Sequence, residues 1–264
     1  MLIRPSYNLG FARSAGESKH PTLWQGLVRR WLMNAGGGRI HDLVTKTTYP
    51  LNTNTAWTLL GGYGACLDFT ATADALIEYG GSSSSYGQVF PTGAYTIIAL
   101  VRQDTASGWN NITGGFGTDH TFWIPSSWGT ATAQLASGHN GSWDAVVDPT
   151  TFTINKWTWV GVTFDPAVGS GTMKLFREGR LVDSATSIPT HNTATYTYVG
   201  GYAGGNSFQG QIADMSIYSK ALTEKEMLNY VVNPYAMIEL SEGVRDYVAA
   251  ASPGGNPWYA YAQQ

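Results

Sequence analysis

The chain has 264 residues, of which 13% are aromatic and only 12% charged, with 32 Gly and a formal net charge of -3. That length and apolar content suit one large β domain with extensions and a sizeable core, which excludes an intrinsically disordered chain. The 15 Lys and Arg are scattered along the sequence and give no basic field for a phosphate backbone, so nucleic acid is excluded as the expected partner.

The start, Met1-Leu2-Ile3-Arg4-Pro5-Ser6-Tyr7, lacks the apolar h-region and cleavage site of a signal peptide, and no apolar run of 18 residues follows. Synthesis in a cytoplasm without a secretory or membrane address is the expectation. Residues 1–22 are polar, are broken by Pro5, Gly10, Gly16 and Pro21, and read as an N-terminal arm. The central domain is expected over residues 23–232. Its strand-like runs are Ala65 to Phe69, Ala75 to Tyr79, Ala94 to Gln103, Trp157 to Asp165, Met173 to Arg177, Thr195 to Gly200 and Gly210 to Tyr218. Turn signals punctuate them, no βαβ rhythm appears, and the pattern is that of an all-β sandwich. The single cysteine, Cys66, lies in the apolar run Gly64 to Phe69 and reads as a buried structural thiol, so the fold must stand without an intrachain disulfide.

One helix is predicted after Ala221-Leu222, where Thr223 and Glu226 have capping-box spacing and Leu222, Met227, Tyr230 and Val231 supply an apolar face. Asn233-Pro234 ends it. Residues 233–264 mix Tyr235, Met237, Ile238, Tyr247, Trp258, Tyr259 and Tyr261 with a Pro/Gly-rich stretch. They read as a C-terminal arm with too much aromatic surface for a solvated tail.

The ordered series from Trp157-Thr158-Trp159-Val160-Gly161-Val162-Thr163-Phe164-Asp165 through Met173 to Val182, Tyr198-Val199-Gly200-Gly201, Phe208 to Tyr218 and the Thr223 to Glu226 helix start resembles the C-terminal half of laminin G-like, concanavalin A-like domains. Leu67-Asp68-Phe69 and Tyr95 to Arg102 carry a looser likeness in the N-terminal half. The resemblance implies a jelly-roll β-sandwich of two antiparallel sheets, one short C-terminal helix, and in many members carbohydrate or protein ligands. Asp214 falls where such domains often hold an acidic residue in the last long strand, and a local hydrogen-bonding role is expected for it.

Catalysis finds little footing in the sequence. A glycosidase needs two carboxylates flanking the scissile bond, about 5 to 9 Å apart, and the Glu-x-Asp-x-x-Glu run of the glucanase relatives is missing. The close pairs Glu224 with Glu226 and Glu239 with Glu242 fall in the helix start and the C-terminal arm. His120, His139 and His191 lack zinc spacing. No cofactor is expected, and a structural Ca²⁺ held by loop carboxylates such as Asp104, Asp119 or Asp144 is left open.

Residues 104–148 concentrate aromatic and amide side chains among Gly and Ser and are expected as loops. Flat aromatic faces beside amide donors suit the apolar face and polar rim of a sugar ring, which makes Trp109, Asn111, Trp123, Trp128, His139 and Trp143 the candidate ligand-binding residues. Large aromatics also fill sandwich cores, so both uses stand at this point. The expectation drawn from all of this is a noncatalytic virion surface protein, a capsid decoration or a head or tail fibre component. Its arms would join other virion subunits into an oligomer, and its sandwich would meet cell-surface or environmental glycans without membrane insertion. The alternatives are a free carbohydrate-binding module and a glycoside hydrolase or polysaccharide lyase.

Overall fold

The computed structural model describes residues 18, 20–32, 38–51, 55–60, 64–69, 77–80, 93–106, 108–116, 121–125, 132–139, 142–191, 196–201 and 207–235. A short helix, α1 (Pro21–Trp24), precedes β1 (Leu27–Leu32), β2 (Arg39–His41), β3 (Thr48–Pro50), β4 (Thr55–Leu60), β5 (Gly64–Phe69), β6 (Ile77–Gly80) and β7 (Tyr95–Gln103). There follow β8 (Asn111–Phe116), β9 (Thr121–Trp123), β10 (Gln134–His139), β11 (Ser142–Thr151), β12 (Thr158–Asp165), β13 (Thr172–Arg177), β14 (Arg180–Thr186), β15 (Tyr196–Val199), β16 (Gly210–Tyr218) and α2 (Glu224–Val232). Residues 104–148, expected as loops, instead contain β8, β9 and β10 and most of β11.

The strands form two antiparallel sheets and a small β2–β3 ribbon. One sheet runs β14-β13-β12-β7-β16-β5-β4, with β1 also paired to β16; the other runs β11-β10-β9-β8-β15-β6. Alternation places one side chain in two between the sheets. Ile97, Val101, Val162, Phe164 and Leu175 meet Phe122, Leu135 and Val146 in the central core. Trp157 stands just before β12 and is half-buried, whereas Val160, Val162, Phe164, Leu175 and Ile217 are buried. The β13–β14 hairpin turns on Glu178 and Gly179, φ 52° and 72°, the pair of left-handed residues that a tight two-residue hairpin needs.

The outward side of the larger sheet carries a second core. Ile98, Phe176 and Tyr218 pack there with Leu23, Leu27, Leu222, Met227 and Tyr230, so α1 and α2 cover part of that face. Thr223 Oγ1 accepts from the Glu226 amide at 3.2 Å while Glu226 Oε2 accepts from the Thr223 amide at 2.8 Å, completing the capping box. Gly161 on β12 leaves room for the helix, since a Cβ there would lie 2.4 Å from Met227 Cε.

A fully buried arginine joins these pieces. Arg30 on β1 donates through Nη2 to Asp214 Oδ2 on β16 and to the Pro234 carbonyl beyond α2, each at 2.8 Å, and through Nη1 to Ser216 and Tyr230. Tyr230 in turn donates to Asp214 Oδ1 at 3.0 Å. Burial pushes the Asp214 carboxyl up to about 6, against the pull of Arg30 and the Tyr230 hydroxyl. Burial also opposes the charge on Arg30, but Asp214 and the surrounding tyrosines outweigh it and raise the guanidinium above its ordinary value. Asp214 thus serves local structure. Cys66 is buried, and burial together with Asp68 pushes its thiol up to about 11.

Removing one partner of such a pair strands the other charge. Arg30→Met should lower stability by about 3–5 kcal/mol in urea unfolding. The double change Arg30→Met with Asp214→Leu should recover a large part of that loss, and equal losses in single and double variants would contradict the pairing.

Candidate functional site

Loop 104–110 joins β7 of the larger sheet to β8 of the smaller one and carries the exposed Trp109. Its path is fixed at both ends by Gln209. The Asp104 amide donates to the Gln209 carbonyl at 2.9 Å, and the Gln209 amide donates to Asn110 Oδ1 at 3.0 Å. Trp109 sits between two left-handed residues, Gly108 at φ 80° and Asn110 at φ 42°. A backbone held in that region by a fully buried, non-glycine Asn110 is strained, and such strain concentrates at functional sites. The Asn110 carbonyl also accepts from the Ile124 amide at 3.1 Å, tying the loop to the end of β9.

Beneath Trp109 lies Trp123, with ring centroids 5.3 Å apart and planes tilted by 35°. Phe122 and Ile124 belong to the central core, whereas Trp123 packs with Ala136 and Val147. Trp123 therefore points away from the core, onto the outer face of the smaller sheet. Asn111 is its cross-strand partner on β8.

The structure thus gathers Trp109, Asn111 and Trp123, but not as a flat exposed platform. Trp109 is 40% exposed, while Trp123 and Asn111 are each 1% exposed. Only Trp109 presents an open ring, and Trp123 supports it from below. Trp128 lies outside the described residues, as do Asp119 and His120, and Trp143 is described only through its backbone in β11.

His139 belongs elsewhere. It is fully buried between the sheets, its ring 4.7 Å from Phe164, 5.5 Å from His191 and 6.2 Å from Tyr95. Among the described residues neither ring nitrogen has a hydrogen-bond partner. It packs as a core side chain and is not available to a ligand on the outer face. Burial, reinforced by His191, holds its pKa down at about 4.

A polar row that the sequence did not single out crosses the larger sheet near the base of loop 104–110. Asp68, Gln211 and Arg102 are neighbours in register on β5, β16 and β7. Gln211 Nε2 donates to Asp68 at 2.8 Å and to Asp104 at 2.7 Å, so one amide bridges the two carboxylates. Arg102 pairs with Asp104 at 2.8 Å and donates to Gln211 and Asn155. Both carboxylates are engaged as acceptors in this network, and a guanidinium stands beside Asp104 where a cation would otherwise be drawn. Among the described residues no group of three His, Cys, Asp or Glu could hold a metal ion.

Two antiparallel sheets packed face to face, with a helix on the outer side of one of them, form a sandwich of concanavalin A-like architecture. The family model described as the Concanavalin A-like lectin/glucanases superfamily matches residues 78–227, more than half of the chain, and the chain belongs to that family. No curated protein matches it in sequence. Domain 4 of AbnA, a GH43 extracellular arabinanase from Geobacillus stearothermophilus solved in complex with arabinotriose, superposes with a TM-score of 0.60 at 16% identity, over 81% of this chain and 99% of that one. Trypanosoma rangeli sialidase in complex with sialic acid gives 0.58 at 15% identity, over 79% of this chain but only 33% of the sialidase chain. The binding domain of Paraclostridial Mosquitocidal Protein 1 gives 0.57 at 13%, over 78% of this chain and 52% of that one. At these identities the likeness is one of fold.

The buried histidine gives a pH dependence with a definite sign. His139 has a folded pKa of about 4 against an ordinary value of 6.5, so the unfolded chain binds the proton more readily. Its contribution is fully present above pH 6.5 and is lost as pH falls toward 4, by up to about 3 kcal/mol. His139→Phe should flatten the decline in melting temperature between pH 7 and 4. An unchanged slope would place the acid sensitivity in other groups.

Proposed function

We propose that this chain is a noncatalytic glycan-binding protein of a virion surface, a capsid decoration or a head or tail fibre component, with Trp109 as the centre of its sugar contact. The observation that carries the glycan reading is the construction around Trp109. An exposed indole is held by a strained, doubly anchored loop and backed by a second indole, which gives a rigid apolar face at low entropic cost. Sugar rings offer an apolar C–H face to such a surface. The arabinanase domain with which the fold superposes was solved with arabinotriose, which supports a saccharide as ligand class.

The noncatalytic reading is supported by the polar row, whose two carboxylates serve one amide and one guanidinium, and neither stands free as a proton donor. The virion role is supported by the placement of the ends. The chain enters the described fold beside α1 and leaves it just beyond α2, both on the outer face of the larger sheet. Trp109 belongs to the outer face of the smaller sheet. Subunit contacts through residues 1–22 and 233–264 would leave the sugar site facing outward.

A free carbohydrate-binding module is the competing reading, favoured by the likeness to a single domain of an arabinanase. Immunogold labelling of particles from the source would separate the two, since a free module leaves virions unlabelled.

Trp109→Ala should weaken retention on immobilised arabinan or another bound polysaccharide about tenfold or more, while the melting temperature hardly moves. Trp123→Ala should instead destabilise the fold by about 3–5 kcal/mol, as large core deletions do. Undiminished binding by a folded Trp109→Ala variant would end the case for this site.

A further inference from the structure

Seven large apolar side chains stand exposed among the described residues, and three of them gather at one place: Leu181, Leu228 and Val232. Leu228 and Val232 are four residues apart on α2 and so share one side of the helix. Met227 and Tyr230 occupy the buried side. The β13–β14 hairpin, which carries Leu181 just past its turn, closes against the same stretch of helix. A Cβ at Gly179 would lie 2.9 Å from Leu228 Cα and 3.3 Å from Val231 Cβ. Val232 is 75% exposed. A helix of nine residues that keeps a second apolar stripe in water marks a surface with a partner.

We propose that this patch is the docking surface for the C-terminal segment, residues 236–264, of a neighbouring copy of the chain. The proposal rests on the assembly role proposed above and names the surface that serves it. The chemistry of the two sides matches. The segment offers Met237, Ile238, Tyr247, Trp258, Tyr259 and Tyr261, and Trp and Tyr are the side chains that most often anchor interfaces. Its Glu239, Glu242 and Asp246 outnumber its Arg245, while the patch is flanked by exposed Arg180 and Lys225. The carboxylates nearest the patch are engaged: Glu224 pairs with Lys174 at 3.0 Å, and Glu178 accepts from the Trp159 amide at 3.2 Å.

The exit of the chain favours a second copy over the segment's own sandwich. Arg30 holds the Pro234 carbonyl at 2.8 Å beside β1 and β16. The other wall of the patch is the β13–β14 hairpin, and β13 lies three strands across the sheet from β16, roughly 14 Å at the usual strand spacing. The segment therefore starts on the flank of α2 that faces away from the patch.

The test uses the full chain. Molar mass by size exclusion with light scattering, over a range of concentrations, should show self-association of the wild type. Leu228→Asp with Val232→Asp, and separately Trp258→Ala with Tyr259→Ala, should weaken it by about tenfold or more with melting temperatures unchanged. Val232→Ser, at the most exposed position, serves if the double aspartate variant unfolds. In a mixture of light and ¹⁵N-labelled chains, carbodiimide links from Lys225 to Glu239 or Glu242 should join light to heavy. Links confined to single chains would overturn docking between copies. Self-association undiminished by the α2 variants would overturn this surface and leave the assembly role standing, whereas a wild type that is monomeric throughout would overturn both.

Discussion

Arg30 is the residue on which the outer layer depends. Its guanidinium is wholly buried, and the four donors of Nη1 and Nη2 find acceptors on β16, α2 and the chain just past α2. A charge in that position is tolerable only with Asp214 opposite it. The geometry that satisfies the pair also fixes where β1 lies on β16 and where α2 lies on the sheet. The asymmetry of the sandwich follows, with one sheet partly roofed by helices and the other presenting its aromatic loop.

Strands with two-sided apolar content were legible in the sequence. Ala94 to Gln103, Trp157 to Asp165 and Gly210 to Tyr218 correspond to β7, β12 and β16 within a residue at each end, because these central strands are buried on both faces and rich in apolar residues. The α2 start was legible through its capping box, whose two partners are local in sequence.

The strands between residues 104 and 148 were not legible for a physical reason. Gln134–His139 reads Gln-Leu-Ala-Ser-Gly-His, and Ser142–Thr151 contains Asp148-Pro149. Small and polar residues fill these strands where tight packing or a specific partner replaces bulk. Asp148, almost fully buried, pairs with Arg177 at 2.7 Å, and no local pattern announces a partner 29 positions away. The candidate site was legible only in part. Clustering of Trp, Asn and His in the sequence found Trp109, Asn111 and Trp123, which do come together, but side-chain direction along a strand separated His139 from them, and burial turned two of the three into support for the third. The row of Asp68, Gln211 and Arg102 exists only across three strands distant in sequence.

Cys66 carries one last consequence. The only thiol of the chain is enclosed in β5 and its acidity is suppressed, so it is a poor target for oxidants and disulfide exchange. The sandwich therefore has the same covalent structure under glutathione as in air. A sandwich built this way can fold in a reducing compartment and keep the same covalent links in an oxidising one, with no disulfide of its own to form or break.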